Sequence, residues 1–350
     1  MHGYMMRAAF FYGAGDIRIE DTDVPVPGDN EVLIRVSYCG ICGSDLTAYK
    51  TGNYVPGIII GHEFSGIIES KGKDVEGLVE GDRVVGASLI PCGKCEFCLT
   101  GRPNLCKNAL MTGITINGAF AEYIKLPADA VFKIPDNMTL LEATLVEPFS
   151  IVLHAMNISS FRPGDVVLVQ GAGPIGLLTI ALLKISGASR IFVSELSEKR
   201  LEIVSRIDKD AILINPSKEN IFSRIDRETG GKGVDIIFDT TGSPAAMKSN
   251  FTLVKRGGEI IILGIPEEPV ESDIFTTVMN ELTIKGSFEG YNEFRRSMDI
   301  ISRNRGMFNI ITSIISLEDI VKDGFERLLQ APVEGKVVVR IGGDLDEIRK

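Results

Sequence analysis

Four cysteines, Cys92, Cys95, Cys98 and Cys106, lie close together in this chain of 350 residues. Their spacing, Cys-x2-Cys-x2-Cys-x7-Cys, allows four sulfur atoms to reach one ion, and four thiolates are a common tetrahedral set for structural zinc. A disulfide cluster or scattered core thiols are the alternatives, and they are disfavoured because nothing else in the sequence indicates an oxidising compartment. The pattern therefore predicts a structural zinc lobe over residues 91–107, which is not an activity in itself.

A second set of metal-ligand residue types is spread more widely along the chain. Cys42 lies in the segment Gly-Ile-Cys-Gly-Ser-Asp, His62 and Glu63 follow a glycine, and Glu147 precedes a proline. One thiolate, one imidazole and one or two carboxylates can form a zinc site that keeps a position open for water or substrate. Each residue also has a structural alternative, since a lone cysteine usually packs in a core and Glu147 could cap a helix. His62 is hardest to assign to packing, because the chain has only three histidines.

A glycine-rich turn provides a third chemical signal, a dinucleotide site. A predicted strand over Val166–Gln170 is followed by Gly-Ala-Gly-Pro-Ile-Gly and then by an apolar helix, which is the context that this fingerprint requires. The first glycine permits the tight turn, the second lets the backbone approach a pyrophosphate at the helix N-terminus, and the third allows close packing of helix on strand. The predicted cofactor contacts in this turn are Gly171, Gly173, Pro174, Ile175 and Gly176.

The next predicted strand ends in a carboxylate that bears on the choice of dinucleotide. Glu195 can accept hydrogen bonds from the adenosine ribose hydroxyls and would repel a 2′-phosphate, so NAD is favoured over NADP. Arg200 is a residue type that can accept such a phosphate, but we expect it against the adenine or the diphosphate edge. Ligands of open α/β sheets bind at the carboxyl ends of the strands. Further residues predicted at these ends are Thr241, Leu263, Gly264 and Ile265.

Two kinds of domain are needed to position these residues. Residues 7–90 and 119–134 contain short strand-like segments separated by Gly and Pro, a pattern typical of a strand-rich domain. From residue 166, apolar strands alternate with helices as far as Leu282–Lys285, which indicates a parallel sheet covered on both faces. The remaining segment is predicted to form helices over 293–304 and 317–330 and a strand over Lys336–Ile341.

Composition and charge limit the partners that the chain can have. The formal net charge of −10 disfavours nucleic acid and anionic membranes. The sequence has no run of about 18 apolar residues that would predict a membrane span, and its first residues lack the apolar core of a signal peptide. With six cysteines, these features predict a cytoplasmic protein whose thiols are reduced or bound to metal.

The motifs together resemble one family. Cys42-Gly43-Ser44-Asp45, Gly61-His62-Glu63, the four-cysteine loop and the glycine-rich turn occur in the order and at the separations of the zinc-dependent medium-chain dehydrogenases. The resemblance implies an α/β fold in which a GroES-like, strand-rich catalytic domain contains an inserted, doubly wound parallel Rossmann domain. The implied boundaries are 1–152 plus 290–350 for the catalytic zinc domain and 153–289 for the NAD-binding domain. It further implies two zinc ions per chain, one catalytic and one structural, and a homodimer or homotetramer.

The resemblance also assigns roles to the catalytic residues. Cys42 and His62 are zinc ligands. Glu63 is a ligand in several members of the family and supports the ligands in others, and Glu147 binds the metal directly, through water or in exchange with Glu63. Asp45 holds the ligating imidazole. Zinc acidifies the substrate hydroxyl, and the alcohol then gives a hydride to the nicotinamide.

Proton removal is the step at which the chain departs from many relatives. Ser44 is placed to take the hydroxyl proton. Thr47 stands where many relatives have the histidine that ends a proton relay. Water, a ribose hydroxyl or one of the carboxylates Glu63 and Glu147 is therefore expected to substitute.

The implied substrate depends on Glu147, because Glu-Pro at this point resembles the polyol, sugar-phosphate polyol and glucose dehydrogenase branch. The substrate would then be a secondary alcohol of a polyol, sugar or sugar-alcohol phosphate, and the alternatives are L-threonine and 2,3-butanediol. Sorbitol dehydrogenases have an arginine near the position of Glu289, so a carboxylate there argues against sorbitol itself and makes a nearby phosphate less favourable. A catalytically silent NAD-binding relative and a zinc-free quinone reductase are disfavoured, because Cys42 and His62 are present.

Overall fold

The structure is a computed structural model that describes residues 4–331 and 335–342. A six-stranded parallel sheet and a seven-stranded mixed sheet organise it, with two small sheets beside them. The strands are β1 (Met5–Gly13), β2 (Asp16–Asp23), β3 (Glu31–Gly40), β4 (Ile58–Ile59), β5 (Glu63–Lys71), β6 (Arg83–Gly86), β7 (Leu89–Ile90), β8 (Leu110–Met111), β9 (Tyr123–Pro127), β10 (Val131–Lys133), β11 (Val166–Gln170), β12 (Arg190–Ser194), β13 (Ile212–Ile214), β14 (Val234–Asp239), β15 (Val254–Ile262), β16 (Thr283–Gly286), β17 (Ile311–Ser316) and β18 (Lys336–Arg340). The α-helices are α1 (Gly43–Thr51), α2 (Glu96–Leu99), α3 (Leu140–Ala143), α4 (Val146–Ile158), α5 (Pro174–Ile185), α6 (Glu198–Ile207), α7 (Ile221–Thr229), α8 (Pro244–Leu253), α9 (Ile274–Met279), α10 (Phe294–Arg303) and α11 (Arg327–Gln330).

The parallel sheet has the strand order β13-β12-β11-β14-β15-β16. Its central strands are continuous apolar runs, and the side chains of Val167–Val169 are fully buried. Apolar runs of this kind are favoured where helices cover both faces of a sheet. The order reverses between β11 and β14, and a crevice for ligands is expected where the connections diverge.

The mixed sheet has the order β10-β6-β5-β3-β18-β17, and β9 also pairs with β3. Strand β18 comes from the end of the chain and pairs antiparallel with β3, with Val339 opposite Cys39. The segment that follows the parallel sheet therefore completes a sheet that the N-terminal part begins. Domain boundaries at residues 152/153 and 289/290 stay a prediction.

The segment after the parallel sheet differs locally from the sequence prediction. Strand β17 was not predicted, because its side chains alternate only between partly buried and exposed and the apolar pattern is weak. Residues Ile320–Glu326 wind as a π-helix before α11 begins, where a single helix over 317–330 was expected. Gly324 lies in this turn, and an added Cβ there would come within 2.7 Å of Ile41 Cδ1. The wider turn of the π-helix and the lack of a side chain at Gly324 together allow this segment to pack closely against Ile41.

The sequence pattern also predicts a helix over 244–255, but this helix, α8, ends at Leu253. Val254 belongs to β15 and pairs with Val234 of β14, so sheet pairing outweighs the helical pattern at its last two positions. Within residues 4–331 and 335–342, no helix combines the length and apolarity that crossing a bilayer would require.

Candidate active site

Three possible metal ligands meet at the start of β5. One ligand atom each from Cys42, His62 and Glu63 lies within 4.8 Å of the others. Strand pairing explains the meeting, because Gly40 at the end of β3 lies opposite Glu63 in the antiparallel register. His62 and Glu63 are 4% and 1% exposed, and burying such groups is costly unless a partner compensates. A thiolate, an imidazole and a carboxylate are ligands that suit a zinc ion.

Asp45 contacts both Cys42 and His62 of this cluster. Its Oδ2 accepts a hydrogen bond of 3.1 Å from the backbone N–H of Cys42 at the start of α1, and its Oδ1 lies 3.6 Å from His62 Nδ1. Burial lowers the pKa of His62, but the charges of Asp45 and Cys42 outweigh it and raise this pKa well above the usual value. At this distance the two groups are not hydrogen-bonded, but a carboxylate facing one ring nitrogen of a histidine is an arrangement common at metal sites.

A buried lysine that the sequence analysis missed pairs with Glu63. Lys336 is the first residue of β18, is 1% exposed, and its Nζ contacts Glu63 Oε2. Burial lowers the pKa of Lys336, but the charges of Glu63 and Cys42 raise it by a larger amount. The pKa is therefore above its usual value, and the ammonium form is favoured. The sequence signal was a lysine immediately before the three valines of this strand.

Glu147 lies beside the cluster. Among the described residues, the group of ligand atoms within 4.8 Å of one another does not include Glu147. It is buried in the first turn of α4, and its Oε2 has no hydrogen-bond partner in the described part of the chain. Burial raises the pKa of Glu147 to about 8, opposed by His62 and assisted by the charges of Glu289 and Glu63. A buried oxygen of this kind fits a nearby cation or a substrate hydroxyl.

The two hydroxyls after Cys42 have different surroundings. Ser44 is exposed and lies beside the hydroxyl of Tyr54, whose pKa is raised by burial. Thr47 donates a hydrogen bond of 3.2 Å to the carbonyl of Gly43 within its own helix. Its hydroxyl is therefore engaged locally.

The four cysteines of the predicted zinc lobe also meet. Their sulfur atoms lie within 4.8 Å of one another, and all four are free thiols. The backbone N–H of Lys94 lowers the pKa of Cys92 to about 6 against the opposing effect of burial, with further help from the N–H of Cys95. Backbone donors aimed at sulfur stabilise thiolates, which are the form that binds metal. The geometry therefore suits a closed zinc site of four thiolates.

The glycine-rich turn joins β11 to α5 and has little room for side chains. Gly171 has a φ of +88°, and an added Cβ there would lie 2.9 Å from Thr241 Cγ2. At Gly176 an added Cβ would lie 2.1 Å from the carbonyl oxygen of Gly171. Gly173, in contrast, faces open space, with Arg200 Nη1 as its nearest neighbour at 3.9 Å. Pro174 and Ile175 open α5 immediately above this space, which is where a pyrophosphate would approach the helix N-terminus.

Glu195 closes one side of this space. Its carboxylate accepts hydrogen bonds from the backbone N–H groups of Ala172 at 2.8 Å and Ser197 at 2.9 Å. Arg200 Nη1 lies 3.7 Å from Glu195 Oε2, so the two side chains are neighbours at the end of β12. The carboxylate is fixed by the backbone where a ribose would lie, and the arginine stands directly beside it.

The other strand ends are tied together by Asp239, which the sequence analysis also missed. Asp239 is fully buried and accepts hydrogen bonds from both the N–H and the hydroxyl of Thr241. Its carbonyl accepts the N–H groups of Leu263 and Gly264, while Ile265 remains exposed beyond them. The predicted residues therefore lie at one edge of the sheet.

Two family models match the chain, "Alcohol dehydrogenase GroES-like domain" over residues 28–136 and "Zinc-binding dehydrogenase" over residues 174–303. The chain is 36% identical to a sorbitol dehydrogenase of Bacillus subtilis over 333 residues, which is 93% of this chain and 94% of that protein. The chain belongs to the zinc-dependent medium-chain dehydrogenases. This dehydrogenase is also 34% identical to an L-threonine 3-dehydrogenase of Deinococcus deserti over 91% of its own length and 94% of the other.

A solved structure from Sinorhizobium meliloti with bound NADP has a TM-score of 0.88 to the dehydrogenase. The two chains are 30% identical, and the match covers 96% of this chain and 99% of the other. The predicted family and the α/β fold with GroES-like and Rossmann parts are thereby confirmed. The dehydrogenase is an oxidoreductase of a family that uses zinc and a nicotinamide cofactor.

Proposed function

We propose that this dehydrogenase transfers a hydride between NAD(H) and a secondary alcohol or ketone of a polyol, sugar or sugar-alcohol phosphate. The observation that carries the proposal is the cluster of Cys42 with the buried His62 and Glu63, and the unpartnered carboxylate oxygen of Glu147 beside it. Similarity to a sorbitol dehydrogenase over nearly the whole chain supports the polyol class.

In this proposal Cys42 and His62 hold the catalytic zinc, and Asp45 keeps the imidazole oriented. Bound zinc supplies a Lewis acid that makes the substrate hydroxyl more acidic. Ser44 accepts the hydroxyl proton and, being exposed, passes it to water. Thr47 does not extend this path, because its hydroxyl is engaged with Gly43 in α1.

We further propose NAD as the cofactor. Glu195 is fixed by two backbone N–H groups, so a 2′-phosphate would meet a carboxylate that cannot easily move away. The ratio of kcat/KM for NAD to that for NADP tests this proposal in the native enzyme and in Glu195→Ala. A preference for NADP in the native enzyme would contradict it and would assign Arg200 to the phosphate.

Two zinc ions per chain are proposed, one in each cluster of ligand atoms. Metal analysis of the purified protein should give two zinc ions, and Cys42→Ser should reduce the count to one while abolishing turnover. NAD binding should persist in Cys42→Ser, because the glycine turn lies in the other sheet. Turnover that survives in this variant would refute the assignment of the catalytic metal.

The substrate is tested by NADH formation with sorbitol, galactitol, their phosphates, glucose, L-threonine, 2,3-butanediol and ethanol. Strong preference for a polyol or sugar supports the leading proposal. L-threonine is the second candidate, and similarity to an L-threonine 3-dehydrogenase favours it. If no substrate of the panel gives NADH although zinc and NAD are bound, the protein is better described as a catalytically silent NAD-binding member of the family.

A homo-oligomer is proposed from the outer edge of the parallel sheet. Four apolar side chains of α9, next to the outer strand β16, are more than half exposed. They are Ile274, Phe275, Val278 and Met279. Light scattering after size exclusion distinguishes dimer, tetramer and monomer, and a monomer would contradict the proposal.

A cytoplasmic location is proposed from the six cysteines, which are not paired in disulfides.

A further inference from the structure

The loop between β16 and α10 brings Glu289 towards the metal cluster. Its backbone has a φ of +56°, a left-handed conformation that residues other than glycine rarely adopt. The residues on either side fix it, since Asn104 Nδ2 donates a hydrogen bond of 2.9 Å to the carbonyl of Phe288. An added Cβ at Gly290 would lie 2.2 Å from the carbonyl oxygen of Ser150 in α4. The loop is held between the cysteine lobe and α4, so the direction of Glu289 is set by its surroundings.

The fixed loop places Glu289 next to Glu147. Ser88 Oγ donates a hydrogen bond of 3.1 Å to Glu289 Oε2, and the same hydroxyl lies within hydrogen-bonding reach of Glu147. The charge of His62 acts on both carboxylates. Ser88 is buried. The two glutamates therefore face one space beside the metal ligands.

This space offers hydrogen-bond acceptors on two neighbouring carboxyl groups. Glu147 Oε2 is buried and has no hydrogen-bond partner among the described residues, so it has an unused acceptor. Lys336, the cation packed against the cluster, is already paired with Glu63. A ligand that brings hydroxyl donors can satisfy these oxygens, whereas a phosphate or carboxylate would bring an anionic charge into a buried site beside two carboxyl groups, which costs free energy.

We propose that Glu289 is a specificity-determining residue, which with Glu147 accepts hydrogen bonds from the hydroxyls of an unphosphorylated polyol or sugar and excludes anionic substrates. The inference rests on the proposed function and narrows its substrate class. Ser88 acts as a positioning residue, because its hydrogen bond directs the carboxylate of Glu289 towards Glu147.

The test compares kcat/KM for a polyol and for its monophosphate in the native enzyme, Glu289→Gln and Glu289→Arg. We expect the native enzyme to prefer the unphosphorylated polyol by about 100-fold, and Glu289→Arg to reduce that preference by at least about tenfold. Glu289→Gln should raise KM for the polyol about tenfold and change kcat much less, because one charged acceptor is lost.

Glu281 provides a matched control. It also has a left-handed backbone, with a φ of +49°, but it is exposed in the turn before β16. Glu281→Gln and Glu281→Arg should leave the preference for the unphosphorylated polyol unchanged. Equal behaviour of the Glu281 and Glu289 variants would overturn the inference, as would native turnover of the phosphate at a rate equal to that of the polyol.

Failure of the proposed function is recognised separately. It is shown by absence of NADH formation with every polyol and sugar, whichever variant is used. In that case the inference is tested by binding of the polyol and of its phosphate, each measured as the rise in melting temperature that the added ligand produces. The polyol should stabilise the native protein and its phosphate should not, and Glu289→Arg should reverse the order. Identical shifts in native and variant proteins would refute the role of Glu289.

Discussion

Lys336 is a buried partner of the candidate metal cluster that the sequence motifs do not reveal. It supplies the positive charge that balances Glu63 in a place where neither side chain reaches water. Removing one partner of a buried ion pair leaves the other charged and desolvated, which costs far more than losing a surface pair.

Lys336→Met is therefore expected to lower the free energy of unfolding by about 3 kcal/mol. Denaturant unfolding at pH 7 in the presence of zinc measures the change. Lys73→Met is the matched control, because Lys73 forms an exposed pair with Asp29 and should contribute less than about 1 kcal/mol. Adding Glu63→Gln to Lys336→Met should recover part of the loss, and no recovery would show that the pair is not the cause.

At the scale of residues, local motifs identified Cys42, His62 and Glu63, because each stands in a short segment with recognisable neighbours. The positions of Lys336 and Asp239 could not be derived in the same way, and Glu289 came into view only through the family resemblance. They reach the sites through strand pairing and loop packing between distant parts of the chain, such as β18 on β3. The ligand assignments themselves stay predictions until metal is measured.

Among the elements, the glycine turn between β11 and α5 shows how position decides the role of a glycine. Gly173→Ala should fold with little loss of stability, because space is open around Gly173, but should weaken NAD binding at least about tenfold by obstructing the pyrophosphate. Gly176→Ala should instead destabilise the fold, since its Cβ would meet the backbone of Gly171. Melting temperature and NAD titration of both variants measure the difference. Equal losses of stability would contradict this distinction.

The cysteine lobe is an element whose stability should come from metal, since it has little core of its own. Cys95→Ser should lower the melting temperature by at least about 5 °C, because structural zinc contributes folding energy. Leu99→Ser in the same lobe is the control, since Leu99 is 74% exposed and should change the melting temperature little. An unchanged melting temperature in Cys95→Ser would count against a zinc site in the lobe.

The elements of the parallel sheet were predictable because apolar strands and amphipathic helices alternate with clear turns. The final segment was less predictable, since β17 has a weak pattern and the π-helix over Ile320–Glu326 interrupts the expected helix. They depend on tertiary contacts, since β17 pairs with β18 and Gly324 of the π-helix lies against Ile41. Local sequence carries little information about such contacts.

For the molecule as a whole, Glu259 links stability to pH. Its carboxylate is buried, accepts hydrogen bonds from the N–H and hydroxyl of Ser160, and pairs with Lys285 at 2.6 Å. Burial raises the pKa of Glu259, but Lys285 and Ser160 outweigh it, so the pKa is lowered in the folded protein. Such a group stabilises the fold above its unfolded pKa, and the contribution disappears as pH falls through the lower folded value.

Glu259→Gln should therefore lower the free energy of unfolding by about 2 kcal/mol at pH 7. The difference from the native protein should stay constant above pH of about 5 and shrink below about 4.3, the usual pKa of glutamate. Urea unfolding at a series of pH values measures this gap. Glu202→Gln, an exposed change in α6, should show no gap at any pH, and a pH-independent gap for Glu259→Gln would refute the linkage.

The placement of β18 also orders events during synthesis. The parallel sheet is built from one continuous stretch of chain, from β11 to β16, so it can form while translation continues. The cluster of possible metal ligands takes Cys42, His62 and Glu63 from before this stretch, whereas its buried partner Lys336 comes from after it. A nascent chain can therefore complete the parallel sheet before Lys336 is present, and a ribosome that stalls between β16 and Lys336 leaves Glu63 without its balancing charge.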